Sequence, residues 1–289
     1  MTAAAGPVVR EGAAEHIADH VYLIPDGRVP LVPNVGIVVG EDACLVVDTG
    51  MGIENGERVL REARRLAGGR PLYLTLTHFH AEHGYGAQVF ESEATIVYNR
   101  KQADELLERG QGMLEMFAGR DANLARLLEG VEFVRPHETY EGRQTLDLGG
   151  VQAELIEIGH AHTFSDQVVW IAEDRVLFAG DLFEYRFFPI VPNPDVHIAN
   201  WIAALERLAA MEPDVVVPGH GERTGAAELL EPRDYFREVA KRVAALRAAG
   251  KSVEETQDEL EPEVAAKWSH WDGPIWIRNT IANCYEQGA

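Results

Sequence analysis

Four apolar, strand-like segments of the sequence each end in side chains that can bind a metal ion. They read LTLTHFHAEH, IEIGHAH, VLFAGD and VVVPGH. Imidazole and carboxylate groups are common ligands of zinc and of other divalent transition metals. Because open α/β folds place their sites at the carboxyl ends of strands, we expect these side chains to converge on one rim of the sheets. The sequence therefore predicts a single metal site.

The first of these segments carries ligands for two positions. Side chains alternate along an extended chain, so His78 and His80 are predicted to point the same way and to bind one ion. Glu82 and His83 then face a second position. A carboxylate can neutralise charge and bridge two ions about 3.5 to 4 Å apart, and Asp181 is the candidate for this bridge. Two zinc ions are the expected cofactor, with iron or manganese as alternatives.

The elements that must position these ligands alternate between β-branched runs and helical patterns, in two similar halves. The first half contains HVYLIP, NVGIVVG, ACLVVDTG and PLYLTLTHFH, with a helix from about residue 55 to 67. The second contains TLDLGG, VQAELIEIG, QVVWIAED, RVLFAGD and DVVVPGH, with a helix from about residue 198 to 211. This pattern predicts an α/β fold of two packed sheets covered by helices on both outer faces.

Two further segments are predicted to be helical. Residues 101–130, between the halves, form either a lid over the site or a pair of surface helices. Residues 232–289 form a C-terminal extension with an aromatic cluster at Trp268, Trp271 and Trp276. This cluster is expected to cap the pocket, to bury a dimer contact or to close the core. No Ser- or Gly-rich linker precedes the extension, so residues 1–289 are predicted to form one domain.

The four metal-binding motifs, taken in order, resemble the metallo-β-lactamase superfamily. The pattern of that family is H-x-H-x-D-H, a downstream His, an Asp after an apolar strand and a final G-H. Here it reads H-F-H-A-E-H, A-H-T, A-G-D and P-G-H-G. Four ordered motifs are far more specific than an isolated H-x-H. The resemblance implies a four-layer αββα sandwich of two mixed β-sheets flanked by helices.

The resemblance also implies a role for each matched residue. It assigns to the first ion the ligands His78, His80 and His162. It assigns to the second ion the ligands Glu82, His83 and His220. Asp181 lies between the ions, and Asp181 and Glu82 are the candidate catalytic carboxylates. The mechanism implied is attack by a metal-bound hydroxide, because zinc lowers the pKa of its water to about 7.

Glu82 departs from the family pattern, which has Asp at this position. Its extra methylene moves the carboxylate by about 1.5 Å, whereas a metal bond tolerates about 0.2 Å. Three outcomes are open: Glu82 binds the second ion, turns away from it, or acts as a proton shuttle.

Three more residues are expected close to the metal ligands. Asp48 is expected to tie down the ligand loops, with ordinary turn capping as the alternative. His160 is expected to neighbour the metals or to form part of the pocket wall. His197 belongs to the segment YRFFPIVPNPDVH, which is expected either to cover the site entrance as a rigid loop or to pack in the core.

The composition limits the partners of the protein. Asp and Glu number 47 against 26 Lys and Arg, which gives a formal net charge of -21. Such a charge repels nucleic acid and anionic membranes. No apolar run approaches the roughly 20 residues that span a bilayer, and no leader is recognisable, so a cytoplasmic location is expected. The two cysteines, Cys44 and Cys284, are expected to be buried thiols.

These observations predict a hydrolase that acts on an ester, lactone, thioester or amide bond of a small molecule. The alternatives are a β-lactamase, a mononuclear iron sulfur dioxygenase and a non-catalytic metal-binding protein. The small-molecule substrate is the expected partner, and association into a homo-oligomer is left open.

Overall fold

A computed structural model of the protein describes residues 6–192 and 195–288. Its first sheet contains seven strands in the order of the chain. They are β1 (Glu15–His16), β2 (Val21–Ile24), β3 (Val35–Val39), β4 (Cys44–Val47), β5 (Leu72–Thr75), β6 (Ala94–Asn99) and β7 (Glu138–Tyr140). Strands β1 to β4 pair antiparallel, and strands β4 to β7 pair parallel, so this sheet is mixed.

The second sheet contains five strands from the second half of the chain. They are β8 (Arg143–Asp147), β9 (Gln152–Gly159), β10 (Asp166–Ile171), β11 (Val176–Gly180) and β12 (Val215–Pro218). Strands β8 to β11 pair antiparallel, whereas β11 and β12 pair parallel. This sheet is also mixed, as the family resemblance implied.

Eight α-helices occur in the part of the chain that the structure describes. They are α1 (Gly52–Ala67), α2 (Ala81–Gly84), α3 (Arg100–Ala118), α4 (Ala122–Leu127), α5 (Ile198–Ala209), α6 (Leu230–Ala248), α7 (Val253–Lys267) and α8 (Ile277–Gln287). Within these described residues, no helix combines the length and the apolar character needed to cross a membrane.

Alternating side chains of the strands build separate apolar layers. In β4, Leu45 and Val47 belong to the cluster between the two sheets, whereas Cys44 and Val46 belong to the cluster beneath α1. In β11, Phe178 faces the other sheet, and Leu177 faces the cluster formed with α5 to α8. Strands that are apolar on both faces are expected in a sheet that is covered on both sides. The four-layer αββα sandwich is thus confirmed.

The helical segment between the halves packs on the outer face of the first sheet. Leu106 and Phe117 of α3 and Leu124 and Leu127 of α4 are all buried in the cluster that also contains α1. Of the two expectations for residues 101–130, packing of a helix pair describes these contacts. The C-terminal helices α6 to α8 cover the second sheet in the same way.

Candidate metal centre

The predicted ligands lie in loops that follow four strands at one edge of the two sheets. His78 and His80 follow β5, His162 follows β9, Asp181 follows β11 directly, and His220 follows β12. Glu82 and His83 lie in the short helix α2. Each of these seven side chains is at most 7% exposed. The topology therefore brings together residues that are up to 142 positions apart, from 78 to 220.

The seven side chains form two groups that share Asp181. Within each group, the potential ligand atoms all lie within 4.8 Å of one another. The first group consists of His78, His80, His162 and Asp181. The second group consists of Glu82, His83, Asp181 and His220. These groups coincide with the two sets that the resemblance implied.

The two carboxylate oxygens of Asp181 face different groups. Oδ2 lies 3.7 Å from His78 Nε2 and 3.8 Å from His162 Nε2. Oδ1 lies 3.2 Å from His83 Nε2 and 3.8 Å from His220 Nε2. One carboxylate placed between two sets of imidazoles is the arrangement that a bridging ligand requires.

Gly219 makes the position of Asp181 sterically accessible. A Cβ atom built at this glycine would lie 1.8 Å from Asp181 Oδ1 and 2.9 Å from the carbonyl carbon of Gly180. No side chain fits there, which explains the glycine before His220 in the P-G-H segment.

Several buried polar atoms of the two groups have no hydrogen-bond partner among the described residues. They are His78 Nε2, Glu82 Oε2, His83 Nε2 and both carboxylate oxygens of Asp181. Burying such atoms without partners is costly, and buried charges are normally paired or bind metals. The unpartnered atoms converge on two points, and their chemistry of imidazole nitrogen and carboxylate oxygen fits divalent transition-metal ions.

The outer nitrogens of three imidazoles are held by partners outside the two groups. His83 Nδ1 donates to Asp48 Oδ2 at 2.8 Å, His162 Nδ1 donates to the Ile190 carbonyl at 3.1 Å, and His220 Nδ1 donates to the Val32 carbonyl at 2.9 Å. Such partners fix the tautomer and the ring orientation of a metal-binding histidine. In each of these rings, Nε2 is therefore the nitrogen that can bind an ion.

Asp48 also fixes the loop that carries the first ligands. It accepts hydrogen bonds from the Thr77 amide at 2.7 Å and from the Thr77 hydroxyl at 2.9 Å. Its own φ of 67° lies in the left-handed region, which Asp and Asn adopt more readily than most residues. Asp48 therefore joins the end of β4 to the start of the loop after β5 and to His83 in α2.

Burial and neighbouring charges separate the two groups electrostatically. Burial and the neighbouring imidazoles lower the pKa values of His78 and His80 well below the ordinary value. Burial also lowers the pKa of His162, to about 4. Burial alone would lower the pKa of His83 too, but Asp181 and Asp48 more than offset this effect, so the pKa of His83 lies well above its ordinary value.

The structure corrects the reason given for the alignment of His78 and His80. Strand β5 ends at Thr75, so neither histidine lies in a regular strand. Instead, His80 occupies the position before the first residue of α2, and the ring centroids of His78 and His80 lie 4.6 Å apart. The turn of the chain into α2, and not strand alternation, directs both rings into the first group.

Glu82 points into the second group and does not turn away from it. Its side chain is 6% exposed, and its Oε2 atom has no partner among the described residues. One of its carboxylate oxygens lies within 4.8 Å of the ligand atoms of His83, Asp181 and His220.

His160 and His197 belong to neither set of ligand atoms, and their rings contact each other at a centroid distance of 5.3 Å. His160 Nε2 donates to the Asp195 carbonyl at 2.6 Å, and its ring centroid lies 4.4 Å from that of Phe164. His197 Nδ1 accepts the Asn200 amide at 3.2 Å and so caps α5. Asn193 and Pro194, in the same predicted loop, lie outside the described residues.

A cleft of about 240 Å³ opens beside the second group. Its polar floor contains Glu82, His220 and Glu184. The sequence reasoning did not single out Glu184, whose carboxyl is 6% exposed, accepts the Ile190 amide at 3.0 Å through Oε2 and has no partner at Oε1. The available signal was an acidic residue three positions after Asp181 in an otherwise aromatic segment.

The fold and the paired ligand groups define a metal-binding αββα sandwich protein. The family model described as "Metallo-beta-lactamase superfamily" matches residues 28–220. The chain therefore belongs to the metallo-β-lactamase superfamily.

Among curated proteins, the chain is 24% identical over 230 residues to a linear primary-alkylsulfatase of Pseudomonas sp., a match that covers 68% of this chain and 42% of that enzyme. It is 27% identical over 213 residues to the acyl-coenzyme A thioesterase MBLAC2 of Gallus gallus, covering 68% of this chain and 75% of that enzyme. Both relatives are hydrolases by name. The chain thus spans less than half the length of the alkylsulfatase.

Solved structures show the same fold. A metallo-beta-lactamase from Pontibacter korlensis superposes with a TM-score of 0.62 at 21% identity, covering 76% of this chain and 98% of that one. The DIM-1 metallo-beta-lactamase superposes with a TM-score of 0.61 at 20% identity, covering 79% and 96%. The fold therefore continues across most of the chain.

Proposed function

We propose that this protein is a metal-dependent hydrolase that uses two zinc ions to cleave an ester, lactone, thioester or amide bond of a small molecule. The observation that carries the proposal is the position of Asp181, whose two oxygens face separate groups of buried ligand atoms. The names of the alkylsulfatase and thioesterase relatives support hydrolysis as the reaction class.

His78, His80 and His162 would hold the first ion, Asp181 would lie between the ions, and Glu82, His83 and His220 would hold the second ion. When bound, such ions supply Lewis-acid chemistry: they lower the pKa of water and polarise the bond to be cleaved. The presence of Glu82 in the second group supports two ions over the single ion of an iron dioxygenase.

The residues of the chain orient these ligands and admit the substrate. Asp48 holds His83 through Nδ1, and the Ile190 and Val32 carbonyls hold His162 and His220. The cleft gives a substrate access to the second group, since Glu82 and His220 both form part of its lining. Glu184 lines the same cleft, and its buried Oε1 atom, which has no partner among the described residues, can hold a proton there.

The charge of the protein supports a small, non-nucleic substrate. With a net charge of -21, the surface repels polyanions over long distances. We further propose that the protein acts in the cytoplasm.

The test combines metal analysis with an activity screen. Purified protein is loaded with Zn²⁺, and hydrolysis of p-nitrophenyl esters, lactones, thioesters and anilides is measured beside His80→Ala and His270→Ala. We expect full activity in the wild type and in His270→Ala, whose exposed histidine is outside both groups, and a strong reduction of activity in His80→Ala. Equal activity in all three proteins would contradict the proposal.

A further inference from the structure

The C-terminal extension forms one wall of the cleft beside the second ligand group. Gly273 and Trp276 line the cleft, although both lie beyond residues 28–220, where the family match ends. A second wall comes from Val29, Pro30 and Leu31, in the loop after β2. The two walls are more than 240 positions apart in the sequence, and the fold brings them to one cleft.

Backbone hydrogen bonds fix the extension against the loop that follows β11. The Phe188 amide donates to the Asp272 carbonyl at 2.9 Å, and the Asp272 amide donates to the Arg186 carbonyl at 2.8 Å. The ring centroid of Trp271 also lies 5.5 Å from that of Phe188, in the core of the second outer layer. These contacts anchor the segment immediately before Trp276.

Arg28 joins both walls of the cleft. Its guanidinium pairs with Asp272 at 2.9 Å and with Glu222 at 2.7 Å, and it lies 5.1 Å from the centre of the Phe187 ring. Arg28 is the only Lys or Arg among the described residues that line this cleft. Because two carboxylates already neutralise it, it offers little attraction to an anionic substrate.

The lining of the cleft separates into a polar floor and apolar walls. The floor consists of the buried polar side chains of the lining, namely Asp26, Glu82, Glu184 and His220. Apolar side chains form most of the walls, namely Val29, Pro30, Leu31, Phe187, Ile190 and Trp276. Binding sites of this kind take an apolar group along their walls and fix a polar group at the floor.

We propose that Trp276 determines substrate specificity, by forming the wall that binds a small, uncharged apolar acyl group while the bond to be cleaved lies at the second ligand group. This inference rests on the proposed hydrolase function and adds the substrate class. The cleft of about 240 Å³ has room for an acyl group the size of hexanoyl, and the acidic floor with a neutralised Arg28 disfavours a carboxylate at the end of that group.

Three p-nitrophenyl esters test the acyl preference. Acetate and hexanoate differ in apolar length, and the monoester of adipate has the length of hexanoate but ends in a carboxylate. We expect kcat/KM of the zinc-loaded wild type to favour hexanoate by about tenfold over acetate, as contacts with added methylenes allow. The adipate monoester is expected to be cleaved more slowly than hexanoate.

Trp276→Ala is expected to remove most of this chain-length preference, and Trp276→Phe to keep part of it. Ile275→Ala is the matched control, because Ile275 is adjacent, 75% exposed and absent from the cleft lining. Bound zinc is expected to be the same in all four proteins. An unchanged preference in Trp276→Ala, or an equal loss in Ile275→Ala, would overturn the assignment.

Calorimetric binding of hexanoate and acetate to the same zinc-loaded proteins separates this inference from the proposed function. One outcome is that no ester is cleaved, but hexanoate binds more tightly than acetate to proteins that contain Trp276 and not to Trp276→Ala. In that case Trp276 does bind the acyl group, and the hydrolase proposal fails. If esters are cleaved but hexanoate and acetate bind equally, the hydrolase proposal holds and the role of Trp276 is overturned.

Discussion

The two ligand groups share Asp181 but differ in charge and in access to the cleft. The first group has three imidazoles, and burial keeps His78 and His80 uncharged at neutral pH. The second group has Glu82 and a histidine, His83, whose pKa is raised by Asp181 and Asp48 against the effect of burial. Glu82 and His220 of the second group line the cleft. Among the described residues, none of the ligands of the first group does so. We infer that the first group holds an ion firmly and that the second meets the substrate.

Asp181→Asn is expected to have the largest effect, because it removes the carboxylate that both groups share. Loss of several kcal/mol of charge stabilisation corresponds to a fall in kcat/KM on the order of 10³-fold. Bound zinc is expected to fall with it, as measured by plasma mass spectrometry. Asp104→Asn is the control, since Asp104 is exposed on α3. If Asp181→Asn kept two ions and full activity, the shared position of Asp181 would have no functional meaning.

His80→Ala and His220→Ala test whether the groups act independently. His80→Ala is expected to weaken the first ion, and His220→Ala to remove the second while leaving the first. Each is expected to lower kcat/KM by about 10²-fold, since one ion remains to provide part of the stabilisation. Metal titration followed by native mass spectrometry distinguishes the two. Each variant is expected to keep one ion, held tightly in His220→Ala and more weakly in His80→Ala, and equal affinities for the remaining ion would contradict the separation.

Glu82→Gln tests whether the longer carboxylate contributes to the second group. This substitution keeps the size of the side chain and removes its charge. The affinity for the second ion is expected to fall by 10- to 100-fold, because removal of a residue that merely hydrogen-bonds to a metal ligand already costs this much. The affinity for the first ion is expected to stay unchanged. Glu91→Gln, at an exposed position, serves as control. An unchanged second affinity would mean that Glu82 is not a ligand.

Asp48→Asn is expected to act on the second group through His83. Asparagine also adopts the left-handed backbone conformation of this position. The substitution removes the negative charge of Asp48 Oδ2, which lies 2.8 Å from His83 Nδ1. The affinity for the second ion is expected to fall by about tenfold, at the lower end of what outer partners contribute. Calorimetric titration with Zn²⁺ measures this change. If the affinity for the first ion fell more than the affinity for the second ion, Asp48 would act mainly through its hydrogen bonds to Thr77.

Proton release on metal binding is the smallest predicted difference between the groups. Its neighbouring carboxylates raise the pKa of His83, so this ring holds a second proton more strongly than a free histidine does. It must release that proton when Nε2 binds an ion while Nδ1 donates to Asp48. Binding of the second ion is expected to release about one proton, and binding of the first none from His78 or His80. The second affinity therefore weakens as the pH falls. Calorimetry in buffers of different ionisation enthalpy measures the protons released, and equal release from both groups would contradict the assignment.

The sequence predicted the sandwich and the composition of both ligand groups, because motif order and apolar runs are local signals. It predicted β2 to β5 and β8 to β12 but not β6, although ATIVYN is rich in β-branched residues. It also missed β1 and β7, whose two and three residues are too short to show a period.

The parts that sequence reasoning missed depend on contacts between distant segments. The two rings of His78 and His80 converge through a turn into α2, which no periodicity reveals. Glu184 is identified only by its burial beside Glu82 and His220 in one cleft. Of the three expectations for the C-terminal aromatic cluster, Trp276 lines the cleft, whereas Trp268 and Trp271 pack around Tyr235 in the core.

The most direct test of the two-group arrangement is the number of ions bound per folded chain. Native mass spectrometry of the wild type and of His220→Ala, each titrated with Zn²⁺ after removal of metal, counts these ions without reference to a substrate. We predict two zinc ions in the wild type and one in His220→Ala. A wild type that saturates at one ion, or a variant that still binds two, would contradict the assignment of the two groups.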